Sequence, residues 1–84
     1  MAYQINFTRT AIRTLEKMSE PYYSAIKEAI IQLAENPRPI GYKKLKGVEA
    51  YRIRVNNYRV IYEIFDNVLT IEIIAIGHRK DIYR

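Results

Sequence analysis

The chain contains no cysteine, and among its 84 residues it has one histidine, three prolines and three glycines. Without cysteine there is neither a disulfide nor a thiolate metal site, and one histidine does not supply the ligands of a structural zinc site. No stretch approaches the roughly 18 uninterrupted apolar residues of a membrane span. The start, MAYQINFTRT, lacks the long apolar run of a signal peptide. We therefore expect a cytoplasmic protein with no cofactor, no metal and no membrane partner.

Positive charge is what the chain has in excess. Fourteen Lys and Arg face nine Asp and Glu, which gives a net charge of +5, and 49% of the residues are hydrophobic. This length predicts a single domain, 1–84, with a modest core. Most of the basic residues lie in the second half: Lys43, Lys44, Lys46, Arg52, Arg54, Arg59, Arg79, Lys80 and Arg84. Such a balance indicates a polyanion or an acidic protein as partner, although simple solubility would also explain it.

Hydrophobic spacing divides the chain into two helices and several strands. Alternation at 3–7 predicts a short strand, and Thr8 can cap the helix that follows. Apolar residues then recur at intervals of three and four until the NPRP stretch at 36–39 ends the second helix. A short strand is expected around 43–45, followed by strands on either side of turns at Asn56-Asn57 and Asp66-Asn67. The predicted fold is α+β: an N-terminal strand, a helical hairpin, and an antiparallel three- to four-stranded meander with the helices on one face.

Two-residue turns fix which residues of this meander should lie opposite each other. Arg54 then lies opposite Arg59, and in the second hairpin Val60 lies opposite Ile73. Because side chains alternate between the faces of a sheet, one face is predicted to be apolar and to lie under the helices. It comprises Tyr51, Ile53, Val55, Tyr58, Val60, Tyr62, Ile64, Leu69, Ile71, Ile73 and Ala75. The other face comprises Arg52, Arg54, Arg59, Ile61, Glu63, Phe65, Thr70, Glu72, Ile74, Ile76 and, if the strand extends that far, His78.

Three arginines on one face of a small hairpin call for an explanation, since like charges directly opposite on a sheet repel. One interpretation is that long arginine stems spread into solvent over an apolar floor. The other is that the face receives a phosphodiester backbone, because the planar guanidinium donates two parallel hydrogen bonds to a phosphate. Lys43, Lys44 and Lys46 allow the same two readings: phosphate contacts, or a solvated loop.

Several segments, in this order, resemble the RelE/ParE superfamily of toxins from bacterial toxin–antitoxin pairs. They are MAYQINFTRTAIRTLEKM, ENPRP, KKLKG, AYRIRVNNYRVIYEI and IAIGHRKDIYR, which together span nearly the whole chain. The resemblance implies a helical hairpin packed on an antiparallel sheet and a RelB-like antitoxin that wraps and neutralises the toxin. In the RelE branch it also implies an endoribonuclease that cuts messenger RNA in the ribosomal A site. The ParE branch instead poisons DNA gyrase.

The basic residues of this chain match the RelE branch. The resemblance then assigns catalytic positions to Arg54, Arg59, His78, Arg79 and Tyr83. Contacts to RNA or the ribosome are expected from Lys43, Lys44, Lys46 and Arg52. The best-known relatives have lysines at the first two arginine positions of the hairpin, and arginine is a poor general base because it stays protonated.

We expect metal-free cleavage by attack of a ribose 2′-OH on the adjacent phosphate. Arg54 and Arg59 would stabilise the phosphate, while Arg52 and Arg79 would bind and orient the RNA. His78 is the only side chain whose ordinary pKa lies near neutrality, so it is a candidate base; an exposed or structural histidine is the alternative. Tyr83 is a candidate acid, base or stacking group, or else an ordinary terminal aromatic. Two rival functions stay open: a ParE-like gyrase poison, and an inactive antitoxin-binding co-repressor.

Overall fold

A five-stranded sheet carries both helices on one side in the computed structural model, which describes residues 2–78. The elements are β1 (Gln4–Phe7), α1 (Arg9–Glu16), α2 (Tyr22–Glu35), β2 (Lys43–Lys44), β3 (Tyr51–Val55), β4 (Tyr58–Phe65) and β5 (Thr70–His78). The strand order is β1-β5-β4-β3-β2, with β1 parallel to β5 and every other pair antiparallel. The α+β prediction is confirmed, and the sheet is wider than the meander because β1 joins it. Neither helix within 2–78 is long and apolar enough to cross a membrane.

Thr8 joins β1 to α1, as its position in the sequence predicts. Its side-chain oxygen accepts a hydrogen bond from the Ala11 N–H at 3.1 Å, which satisfies a backbone donor of the first helical turn. The same hydroxyl donates to the Ile74 carbonyl at 2.7 Å. The start of α1 is therefore fixed directly to β5.

The core lies between the helices and one face of the sheet. Its buried members are Ala11, Leu15, Ile26, Ile30, Leu33, Ile53, Val60, Tyr62, Ile71, Ile73 and Ile76. Tyr62 is fully buried, and its hydroxyl donates to the Pro37 carbonyl at 2.7 Å. Burial raises the pKa of the Tyr62 phenol, so this hydroxyl stays a donor. The bond fastens the segment after α2 to the middle of β4.

The first hairpin has the predicted register. Val55 pairs with Tyr58 and Arg54 with Arg59, and Asn56 takes the positive φ of 56° that the tight turn requires. The second hairpin is different from the prediction. The expected two-residue turn is replaced by a 3-10 turn at Asp66–Val68, and the next residue, Leu69, has a left-handed backbone conformation. Phe65 therefore pairs with Thr70.

A β-bulge in β5 changes the register again. Tyr62 pairs with Ile73 while Ile61 pairs with Ala75, so Ile74 has no partner on β4. The predicted pairing of Val60 with Ile73 is therefore wrong, because Val60 pairs with Ile76. Beyond the bulge the faces of β5 are exchanged: Ile76 is buried against Val60, and Ala75 lies on the side away from the helices.

Candidate functional site

The β3–β4 hairpin brings three arginines to the open face, by which we mean the face of the sheet away from the helices. Arg52 pairs with Ile61 and Arg54 pairs with Arg59, while their strand neighbours Ile53 and Val60 are in the core. Alternation along both strands therefore points all three guanidinium groups to the same side. We call Arg52, Arg54 and Arg59 the arginine cluster. The strand positions on which the phosphate interpretation depends are confirmed.

Two members of the arginine cluster are buried. Arg52 is 8% exposed and Arg59 is 9% exposed, whereas Arg54 is exposed. Positively charged side chains are seldom buried this far, because taking a charge out of water is costly unless it is paired. Within residues 2–78, Arg52 and Arg54 form no ion pair and no side-chain hydrogen bond. Arg52 therefore holds its positive charge in a partly desolvated place without a charged partner among the described residues, and such a place favours an approaching anion more than open solvent does.

The open face divides into a cationic and an anionic end. Glu63 lies directly opposite Glu72, four residues along β4 from Arg59. Ile61 and Ala75 face each other between the two ends and form an uncharged strip. A polyanion that follows the length of β4 would run onto the glutamates. The charges therefore favour a chain that crosses the strands at the arginine end.

His78 does not share the face of the arginine cluster, so its predicted placement is wrong. It pairs with Tyr58, and the ring centroids of these two residues are 5.7 Å apart in an edge-to-face arrangement. Both line a cleft together with Thr14, Lys17 and other residues near the end of α1. The cause is the bulge, which turns the end of β5 over and leaves Gly77, not a bulky side chain, opposite Arg59.

The three lysines before the hairpin do not act as one surface. Lys43 pairs with Arg52 and is exposed, so its side chain extends the cationic end of the open face. Lys44 faces the other way; its ammonium donates to the Val48 carbonyl at 2.9 Å and lies 3.9 Å from Glu49. Lys46 is exposed in the turn between β2 and β3. Of the sequence-predicted lysines, only Lys43 lies beside the arginine cluster through strand pairing.

The predicted site residues Arg79 and Tyr83 lie outside the described residues. A cleft of about 440 Å³ beside Arg54 was not anticipated. It is lined by Ala29, Gln32, Pro39, Ile40, Gly41, Ile53 and Arg54. The lining combines residues of α2, of the segment that follows it and of β3, and no local sequence pattern predicts that these three parts lie together.

A charged network that the sequence analysis did not predict joins the start of β1 and the segment after α2 to the turn between β4 and β5. One Arg38 nitrogen lies 2.8 Å from Asp66, and the Tyr3 hydroxyl donates to the same carboxylate at 2.6 Å. The hydrogen bonds from Arg38 and then Tyr3 lower the pKa of Asp66. The partners are 28 and 63 positions apart in sequence, so neighbouring residues carry no signal of this contact.

A helical hairpin on one side of a mostly antiparallel sheet, with clustered arginines on the other, is the architecture of a small RelE-like toxin. The family comparison agrees: the profile of the ParE toxin of the type II toxin–antitoxin system parDE matches residues 5–83. The chain belongs to this family, and thus to the RelE/ParE superfamily of type II toxins.

Similar sequences bear RelE-type names. Toxin RelG of Mycobacterium tuberculosis is 35% identical over 88 residues, covering 100% of this chain and 99% of that protein. The mRNA interferase toxin RelE of Escherichia coli K12 is 28% identical over 83 residues, covering 95% of this chain and 86% of that protein.

Similar solved structures include toxins bound to antitoxins. The archaeal RelE–RelB complex from Pyrococcus horikoshii contains a chain that matches with a TM-score of 0.84 at 25% identity, covering 96% of this chain and 99% of that one. The toxin–antitoxin complex RelBE2 from Mycobacterium tuberculosis matches with a TM-score of 0.82 at 29% identity, covering 94% and 100%.

Proposed function

We propose that this toxin is an endoribonuclease that cleaves messenger RNA in the ribosomal A site without a metal and is neutralised by a cognate antitoxin. The observation that carries the proposal is the arginine cluster: paired strands hold Arg54 directly opposite Arg59 on the open face. The mRNA interferase name of the Escherichia coli relative supports the reaction type. The complexes with RelB of similar toxins support an antitoxin partner.

In the proposed reaction a ribose 2′-oxygen attacks the adjacent phosphorus and the bond to the 5′-oxygen breaks. The products are a 2′,3′-cyclic phosphate and a free 5′-hydroxyl. Arg54 and Arg59 donate to the non-bridging oxygens, where negative charge develops, because two guanidinium groups on opposing strands can hold one phosphate from both sides. Arg52 and Lys43 bind the neighbouring backbone, since they extend the same cationic end.

Two proton transfers complete the reaction: a base removes the 2′ proton, and an acid protonates the leaving 5′-oxygen. His78 and Tyr83 are the predicted candidates, with Arg79 as an orienting cation. Because His78 lies on the helix side of the strand end, its use as a base requires the ribose to sit over the end of β5, beside Gly77. Single variants of His78 and Tyr83 would divide these roles, since loss of the base and loss of the acid alter opposite limbs of the pH–rate profile.

The test is to mix the purified protein with programmed ribosomes and to map the RNA ends. Arg54→Ala should lower the cleavage rate by about a hundredfold, the usual effect of removing one donor to a developing charge. Arg13→Ala, which removes an exposed arginine from α1, is the matched control and should cut at the parent rate. Because Arg59 is buried, Arg59→Lys is preferable to alanine: it keeps the charge but loses the planar fork.

Two outcomes would contradict the proposal. Full-rate cleavage by Arg54→Ala would remove the phosphate assignment, and loss of cleavage in a chelator that leaves the magnesium of the ribosome in place would remove the metal-free mechanism. The matching profile bears the ParE name, so inhibition of DNA gyrase is the second candidate. Inhibited supercoiling without RNA cleavage would establish it, and neither activity in a protein that still binds its antitoxin would favour the co-repressor role.

A further inference from the structure

The cleft beside Arg54 continues the cationic end of the open face around the edge of the sheet. The outer strand β2 pairs only with Tyr51 and Arg52, so within residues 2–78 no strand lies beside Arg54 on that side. The cleft of about 440 Å³ opens there, and Arg54 lines it. A chain that crosses the strands from Arg59 to Arg54 arrives at this edge, because neighbouring strands are only about 5 Å apart. The cleft is therefore within reach of the next group along the same chain.

The backbone of Arg54 faces the cleft. A two-residue turn makes Val55 and Tyr58 a hydrogen-bonded pair, so the N–H and C=O of Arg54 point away from β4. The β2 side gives the same parity, because the Leu45 N–H donates to the Ala50 carbonyl, four residues before Arg54. Within residues 2–78, no backbone group bonds to Arg54 on this side. The edge thus offers one donor and one acceptor next to each other.

This edge is too short to bind another strand. Strand addition uses a row of outward backbone groups, and here the row is interrupted on both sides of Arg54. Arg52 already pairs with Lys43, and the next outward position after Arg54 is Asn56, which belongs to the turn. A single donor beside a single acceptor instead matches the edge of a nucleobase, where donor and acceptor atoms are neighbours.

The wall opposite Arg54 is an apolar turn. The Tyr42 N–H donates to the Pro39 carbonyl at 3.0 Å, and Gly41 has the φ of 94° that the third position of a type II turn requires. Ile40, the second residue of this turn, lines the cleft and is fully exposed although it is a large aliphatic side chain. A Cβ on Gly41 would meet no atom within 4 Å, so the space beside the turn is open. Since a cavity of about 150 Å³ holds benzene, the cleft has room for a flat aromatic ring system.

The polar groups on the α2 side favour an uncharged occupant. Gln32 lines the cleft, and its amide nitrogen donates to the Glu28 carboxylate at 2.9 Å. This carboxylate would repel a phosphate inside the cleft, whereas a neutral base would meet no such repulsion. The amide carbonyl and the second amide hydrogen of Gln32 can bond a ligand. The charges therefore separate two positions: a phosphate at the arginine cluster and a neutral group in the cleft.

We propose that the cleft beside Arg54 binds the base of a nucleotide that flanks the cleaved phosphate. The proposal rests on the proposed function in placing that phosphate between Arg54 and Arg59. The Arg54 backbone and the Gln32 amide bond the edge of the base, while Ile40 and Ile53 pack against its faces. A base held in the cleft fixes the RNA beside the two guanidinium groups, so the cleft contributes to positioning the reacting phosphate.

The test uses a dinucleoside monophosphate with 2′-O-methyl riboses, in which the attacking oxygen is blocked and binding is measured without cleavage. Two further probes each lack one of the two bases. In titrations of the isotopically labelled toxin, one of these abasic probes should bind about tenfold more weakly than the intact probe, an effect within the usual range for one bound base. The intact probe should shift the Arg54 backbone amide signal and the Gln32 side-chain signals, and that abasic probe should leave them unchanged.

Filling the cleft should remove this discrimination. Ala29→Leu adds bulk to the lining from α2, so the intact and abasic probes should bind the variant equally. Ala25→Leu is the matched control: it makes the same change at a half-buried alanine one turn earlier on α2, outside the lining, and should keep the tenfold difference. Gln32→Ala, at an exposed position where the core is not disturbed, should reduce the difference to about threefold by removing one hydrogen bond to the base.

Three results would overturn the proposal: equal affinity of the intact and both abasic probes, full discrimination by Ala29→Leu, or an Arg54 amide signal that the intact probe does not shift. If Ala29→Leu lost antitoxin binding and kept the discrimination, the cleft would be an antitoxin contact and the proposal would also fail. RNA cleavage on programmed ribosomes is measured separately. Base discrimination by a toxin that cuts no RNA would refute the nuclease and support the cleft, whereas cleavage without discrimination would do the reverse.

Discussion

The position of Arg54 opposite Arg59 leads to a prediction about the stability of the fold as well as about function. We expect Arg54→Met to stabilise the folded protein, because methionine keeps an apolar stem of similar length and removes one of two facing charges. Because Arg54 is exposed, a solvent-like dielectric applies to this pair, and two charges about 7 Å apart then repel by about 0.6 kcal/mol. The nearby charges of Arg52 and Lys43 act in the same direction.

Urea unfolding at two salt concentrations measures this effect. At low salt, Arg54→Met should raise the free energy of unfolding by about 0.5 kcal/mol. In about 1 M salt the gain should nearly vanish, because the screening length falls to about 3 Å. The control is Lys46→Met, which removes an exposed turn charge with no strand partner and should change stability less. A destabilised Arg54→Met, or a gain independent of salt, would refute the inference that Arg54 and Arg59 repel each other across the strand pair.

Three further predictions follow from contacts elsewhere in the fold. Arg38 lowers the pKa of Asp66, so the ionised carboxylate stabilises the fold at every pH above its unfolded pKa of about 4. This stabilisation is lost as the pH falls through the lower pKa of the folded state. Asp66→Asn should therefore flatten the acid limb of a plot of unfolding free energy against pH. Tyr62→Phe leaves a buried carbonyl without its donor and should cost about 1–3 kcal/mol in urea unfolding. Lys43→Ala should weaken ribosome binding and lower its salt dependence, whereas Lys44→Ala, on the other side of β2, should change neither.

Local chemistry explains why the first hairpin could be predicted from the sequence. A two-residue turn leaves a single register, and Asn56 readily adopts the positive φ that such a turn needs. The placement of Arg54 opposite Arg59 followed from counting, and with it the arginine cluster.

The second hairpin could not be counted in the same way. Asp66 and Asn67 have the composition of a tight turn, but the chain continues through a 3-10 turn and puts Leu69 in the left-handed region, where leucine is uncommon. The sequence at the bulge contains no glycine or proline beside Ile74 from which the bulge could be predicted. Tertiary packing decided both features, and the predicted face of His78 depended on them.

The contacts of β1 could not be predicted because they are parallel and distant. Alternation predicted the strand, but its pairing with β5 joins residues more than 60 positions apart. The same distance hides the contact of Tyr3 with Asp66. An apolar groove beside β1 is lined by residues of β1, α1 and α2, so it forms only when the helices pack on the sheet.

The bulge at Ile74 affects both the pairing of β4 with β5 and the start of α1. Removing Ile74 would leave every neighbouring pair of β4 and β5 in its present partnership and would make the two strands continuous. It would also remove the carbonyl that receives the Thr8 hydroxyl. A deletion that makes the two strands continuous would thus remove the hydrogen bond that fixes the start of α1 to β5, so the residue that interrupts the sheet is also the residue that anchors the helix.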